Sequence, residues 1–275
     1  MKKIVIKNTL KYALLLAGVT SLPAMAHIGY SGRDFGTLTN IGDTSTRSNN
    51  AATGNFGWID GTDADWGDSH KTRAYRFNLT EEHDVSISFH GQTYGTVTHA
   101  LTNPGFSLYQ GLAHNTAENP GPLPLASDHD FGVGSTLIRD TIAGAGNTEG
   151  SFRALQSWSI TNDSDPLALS PTVFTFIGAA YDGSIDYGTG TIPYGDGVAD
   201  GVVTQTFHLL PGFYSIFVGG TDYSQQTGLG TWGVGGALAY GVEGVVSVVP
   251  EPETYAMLLA GLGLLGASIR RRRIS

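Results

Sequence analysis

The chain has 275 residues, with 15 Lys and Arg against 24 Asp and Glu, and it has no cysteine. Eight of the basic residues lie near the two ends. This leaves Arg33, Arg47, Lys71, Arg73, Arg76, Arg139 and Arg153 against twenty-two acids over residues 27–248, a net charge near −15. Such a surface repels nucleic acid and anionic lipid and suits neutral polymers or bound cations, and a domain without disulfides must be stabilised by its core.

Met1 to Ala26 reads as a secretory signal. Lys2, Lys3, Lys7 and Lys11 form a basic start, Tyr12 to Leu22 an apolar centre, and Ala24-Met25-Ala26 a small-x-small cleavage site for signal peptidase. Between the two ends, 39 glycines, few charges and plentiful Thr, Ser, Tyr and Phe point to an all-β domain over residues 27–248. Gly29 to Gly36 is a candidate opening strand, and Thr37 to Gly54, which lacks sustained alternation, reads as a long surface loop. Tyr75, Phe77 and Leu79 alternate with polar residues, as do Val85, Ile87 and Phe89 beyond the Thr80-Glu81-Glu82 turn. The pattern predicts an antiparallel hairpin.

Phe106 and Leu108 mark a further strand. Phe152 to Ile160 fits a strand or a short helix, and Val173 to Ala179 alternates as a strand. Val203, Phe207 and Leu209 lead to a Pro211-Gly212 turn, from which Tyr214, Ile216 and Val218 return; Ala237 to Val248 is the final strand. Paired strands without a convincing amphipathic helix predict a β-sandwich or jelly roll. The segments 73–91 and 204–220 resemble the sandwich modules of pre-peptidase C-terminal type found in secreted bacterial proteins, which implies architecture and no activity.

The last segment, Val249 to Ser275, begins Pro250-Glu251-Pro252. Fourteen uncharged residues follow from Ala256 to Ile269, and then Arg270, Arg271, Arg272 and Arg273. The prolines forbid a helix before Glu253, and fourteen residues of helix cover about 21 Å, short of the ~30 Å hydrocarbon layer. Arginines after the apolar run stay cytoplasmic and place the upstream chain outside. Motif, short apolar helix and arginine cluster together resemble the PEP-CTERM sorting tail of exopolysaccharide-producing Gram-negative bacteria. That resemblance implies an exosortase as processing partner, transient contact with the inner membrane, and delivery to the cell surface or the extracellular matrix.

Candidate chemistry is sparse. Asp60, Asp63, Asp65 and Asp68 occupy one Gly-punctuated acidic loop, and Asp182, Asp186, Asp196 and Asp200 a second. Asp196 and Asp200 sit in the most ligand-like run, and calcium is the expected cation because it takes six to eight oxygens. The competing explanation is an ordinary turn in which Asp bonds its own backbone. Cleavage after Ala26 would leave His27 as the mature N-terminus. Its amine and imidazole could then chelate copper with a second histidine, as in lytic polysaccharide monooxygenases. Asp68-Ser69-His70 and Asp128-His129-Asp130 contain triad residue types, but neighbours on a strand face opposite ways. Trp58, Trp66, Tyr181, Tyr187, Tyr194 and Tyr223 fall in or beside predicted loops where rings could stack on sugars, although for any single ring burial in the core is the leading expectation; Trp158 and Trp232 read as core. The sequence therefore leads to a non-enzymatic surface or matrix protein with a structural, adhesive or polysaccharide-binding role. The competing class is a secreted polysaccharide-active enzyme using copper at His27 or an acidic pair.

Overall fold

The computed structural model describes residues 28–59, 66–69, 71–112, 151–160, 172–185, 191–222, 238–251, 260–262 and 264–265. The early strands are β1 (Asp34–Leu38), β2 (Thr44–Thr53), β3 (Trp66–Asp68), β4 (Arg73–Leu79), β5 (His83–Gly91), β6 (His99–Ala100) and β7 (Pro104–Gln110). The later ones are β8 (Ser151–Arg153), β9 (Trp158–Ile160), β10 (Thr172–Tyr181), β11 (Val202–Leu209), β12 (Gly212–Gly220) and β13 (Ala239–Val249). One sheet has the order β1-β4-β12-β7-β10-β9. The other runs β11-β5-β13-β2, with β6 alongside β13, and β3 pairs with β8 separately. The fold is an all-β sandwich.

The alternation read from the sequence points its apolar residues between the sheets. Tyr75, Phe77, Leu79, Phe106, Leu108, Tyr214, Ile216 and Val218 from one sheet meet Val85, Ile87, Phe89, Val203, Leu209, Val242, Val246 and Val248 from the other, all buried. Phe77 stacks on Tyr214 with ring centroids 5.0 Å apart, and Tyr75 meets Phe89 edge-on at 5.2 Å.

Three expectations are corrected. The first predicted hairpin is an arch. β4 belongs to the six-stranded sheet and β5 to the other, so the chain crosses the sandwich at residues 80–82. The second is also an arch, because β11 pairs with β5 and β12 with β4. Alternation over two short strands fits either geometry; partners further along the chain decide it. Phe77 lies opposite Tyr214 and Tyr75 opposite Ile216, while Val85 lies opposite Phe207 and Phe89 opposite Val203. The Tyr214 hydroxyl donates to the Leu210 carbonyl at 2.5 Å and closes the second arch.

The third correction is Thr37 to Gly54, read as a loop. Its centre is the ten-residue edge strand β2, paired antiparallel with β13 from Ser247↔Thr44 to Ala239↔Thr53. Its sequence TSTRSNNAAT buries only Ala52, so hydrophobic alternation is missing while the β13 ladder supplies the order. The ambiguous 152–160 segment resolves into the short strands β8 and β9.

Candidate functional site

The loop end of the sandwich lies opposite the arches, and there the second acidic segment folds back on itself. Asp182 is 1% exposed, and its two carboxylate oxygens accept the N–H groups of Asp200 at 2.8 Å and Gly201 at 3.0 Å. Asp196 Oδ1 accepts Gly183 N at 2.7 Å and Val198 N at 3.0 Å, and Asp200 Oδ1 accepts Val202 N at 3.1 Å. Burial pushes the Asp182 carboxyl above its ordinary range, the two backbone N–H groups oppose that shift, and the charges of Asp196 and Asp200 add to it. Asp196 and Asp200 each accept the N–H two residues on, as Asx turns do, while Asp182 and Asp196 also tie the two ends of the loop together. Among the described residues no three acidic or histidine side chains are grouped to hold a metal ion. Asp60, Asp63, Asp65, Asp186 and His27 lie outside the described residues, and Asp68 contributes its backbone to β3 opposite Ser151.

Beside this loop opens a groove of about 580 Å³, lined by His90, Gly91, Leu101, Thr102, Asn103, Ala199, Asp200, Gly201 and Val202. Its floor is locked from below. Buried Asn55 donates to Thr102 Oγ1 at 2.6 Å and accepts Thr102 N at 3.0 Å, and Thr221 N donates to Asn103 O at 3.0 Å. Glu243 stands behind His90 at 3.6 Å and accepts Gln92 Nε2 at 3.2 Å. The lining mixes hydroxyl, amide, imidazole and carboxylate groups on fixed backbone, a set that holds an uncharged polar ligand by hydrogen bonds.

At two of the loop aromatics the structure follows the core reading. Trp58 and Tyr181 are fully buried and face each other with ring centroids 5.5 Å apart. The Trp58 indole fills the space above Gly105, where a Cβ would come within 2.6 Å of the ring, and its Nε1 donates to Ser107 Oγ at 2.8 Å. A glycine inside a strand is the sequence signal for such an approach. Trp158 is core, as expected, and stacks on Phe174 at 4.6 Å. Tyr194 is 48% exposed and leans edge-on against Phe176. Tyr187, Tyr223 and Trp232 lie outside the described residues, and of Trp66 only the backbone in β3 is described.

Sequence reasoning missed a cluster at the arch end. His208 Nδ1 lies 2.8 Å from Asp84 Oδ1 and its Nε2 lies 2.7 Å from Glu82 Oε1, an arrangement that uses both ring nitrogens as donors. These bonds from Asp84 and then Glu82 raise the imidazole above its ordinary 6.5. The cluster is exposed and pins the β4–β5 arch to β11. The signal existed only as register, since His208 sits directly opposite Asp84.

The described part of the C-terminal segment begins where β13 ends. Gly42 N donates to Val248 O at 2.9 Å, Val248 N donates to Asp43 O at 2.9 Å, and Glu251 is exposed. Short helical pieces follow at residues 260–262 and 264–265, with Leu262, Leu264 and Leu265 exposed. Among the described residues no helix is long and apolar enough to cross a membrane.

A search of curated proteins finds no match to this sequence. Among solved structures, the chain is similar to CorA, a surface-associated copper-binding protein important in copper acquisition by Methylomicrobium album BG8. The identity is 18% and the TM-score 0.45, covering 77% of this chain and 99% of that one. It is also similar to MopE, a secreted protein of Methylococcus capsulatus in which an oxidized tryptophan facilitates copper binding. There the identity is 18% and the TM-score 0.40, covering 78% of this chain and 87% of that one. Residues 248–273 match the family described as the PEP-CTERM protein-sorting motif. The chain therefore carries a PEP-CTERM sorting domain at its C-terminus, the mark of an exported protein handled by an exosortase.

Proposed function

We propose that this chain is a non-enzymatic β-sandwich protein of the cell surface or exopolysaccharide matrix, with a structural and glycan-binding role. The observation that carries the proposal is the sorting motif at residues 248–273, the mark of an exported protein; the exopolysaccharide matrix as destination is what the resemblance to the tails of exopolysaccharide-producing bacteria implies. The loop-end groove supports the binding part. It combines hydroxyl, amide and carboxylate groups with the apolar Leu101, Ala199 and Val202 over a hydrogen-bonded floor, and it lies on a domain whose acidic balance disfavours anionic ligands. The acidic loop beside it engages its carboxylates with backbone N–H groups, which suits a scaffold better than a general acid and base.

The test is binding of the secreted protein to cellulose, chitin and native exopolysaccharide, followed by a product assay with copper and a reductant. Retention on polysaccharide without soluble products is the expected result. Oxidised or hydrolysed oligosaccharides would replace this reading with the enzyme, and absence of binding would remove the glycan role. A calcium titration reversed by chelator and read as a melting shift tests whether a cation reinforces the acidic loop.

A further inference from the structure

The outer face of the five-stranded sheet carries a feature that no single segment displays. In the register of β11, β5, β13 and β2, one row across the sheet reads Thr206, Ser86, Ser247, Thr44, and the next reads Thr204, Ser88, Val245, Thr46. All four threonines are exposed, and the four inner-strand positions are half-buried. Seven of these eight side chains are hydroxyls and none is charged. Thr44 donates to Ser247 Oγ at 3.0 Å and Thr204 to Ser88 Oγ at 2.8 Å, so the hydroxyls are oriented in cross-strand pairs. Strand geometry spaces them about 4.8 Å apart across the sheet and about 6.8 Å along each strand.

Imidazole and carboxylate groups lie at the two ends of this block. His208, Asp84 and Glu82 close it at the arch end, and His90 and Glu243 at the other. At that second end the next row contains Val202 and His90, and both line the groove. Along β5 and β11 the hydroxyl face is therefore joined to the groove through His90 and Val202.

We propose that this face and the groove form one extended site for a neutral polysaccharide chain laid along β5 and β11. The inference rests on the glycan-binding reading and adds the ligand class and the surface that recognises it. Hydroxyls both donate and accept, so an ordered array of them matches a ligand that does the same at regular intervals. The block offers no cation to an anionic polymer, and the domain's net charge near −15 repels one. A run of weak, equivalent contacts gives avidity only to a repeating ligand, which selects a polymer over a monosaccharide.

The probes are microcrystalline cellulose and carboxymethylated cellulose, with the full secreted protein. The double variant Thr204→Glu, Thr46→Glu places carboxylates on the two edge strands. It should weaken retention on the neutral polymer by at least about tenfold, a 1.4 kcal/mol change. Thr204→Val with Thr46→Val removes the same hydroxyls without adding charge and should weaken retention in the same direction. Thr175→Glu, exposed on the other sheet, should bind as the unaltered protein does. Unchanged melting verifies that each variant is folded. If the unaltered protein binds cellulose and every variant binds equally, the hydroxyl face is excluded while the glycan-binding function stands. If the unaltered protein binds carboxymethylated cellulose as well as the neutral form, the ligand class is wrong. If it binds no polysaccharide, both readings fall together.

Discussion

The two sheets share one core yet treat their outer faces in opposite ways. Behind the six-stranded sheet lies a second apolar layer of Trp58, Tyr109, Phe152, Trp158, Phe174 and Phe217, joined by Ile28, Tyr30 and Tyr181. Phe217 alone touches the rings of Tyr109, Phe152, Trp158 and Phe174 at 5.2–5.6 Å. Strands β7 and β12 are accordingly buried almost throughout, whereas β5 and β13 alternate buried and half-exposed positions. The contrast shows where tolerance to change resides. One sheet is fixed on both sides by packing, and the other leaves a face open to a partner.

Truncation in the aromatic layer should have the largest effect. Phe217→Ala is expected to cost about 3–5 kcal/mol in denaturant unfolding, because several rings lose a common neighbour. Ser107→Ala should cost about 1–3 kcal/mol, since it strands the buried Trp58 N–H. Tyr75→Phe tests the shared core. The Tyr75 hydroxyl is buried without a partner among the described residues, so its removal should be neutral or stabilising by up to about 1 kcal/mol.

His208 gives a pH test on the open side. Its folded pKa is raised, so its stabilising contribution is fully present below the ordinary 6.5 and is lost as pH rises through the higher folded value. Melting of the unaltered protein should fall slightly across that window, and His208→Asn should flatten this part of the profile. The smallest effect belongs to the open face, where Thr206→Ala should change stability by no more than about 0.5 kcal/mol. A loss comparable to that of Phe217→Ala would show that the open face is packed and would erase the contrast between the sheets.

Much of this architecture was legible because alternation marks strands whose inner face is buried. Phe77 and Leu79, Ile87 and Phe89, and Ile216 and Val218 are all core residues, as their spacing indicates. The sheet to which each strand belongs was not legible, because an arch and a hairpin impose the same local pattern. Strand β2 was invisible for a different reason: its polar residues show no contrast between faces, and its partner β13 lies some two hundred residues away. The same fact hid the hydroxyl array, to which each of four strands contributes only two residues. The groove depends on loops from distant segments meeting, so it too left no local trace. Asp196 and Asp200 read from the sequence as the most ligand-like acids, and in the structure their carboxylates accept backbone N–H groups.

The last strand among the described residues is also an interior one. β13 lies between β5 and β2 and ends at Val249, immediately before Pro250. Without residues 239–249, β5 and β2 have no common neighbour and the five-stranded sheet has no centre. The five-stranded sheet can therefore close only once the last part of the domain is present. The sorting motif follows directly on that strand, so the residues that complete the sandwich adjoin the residues that carry its address.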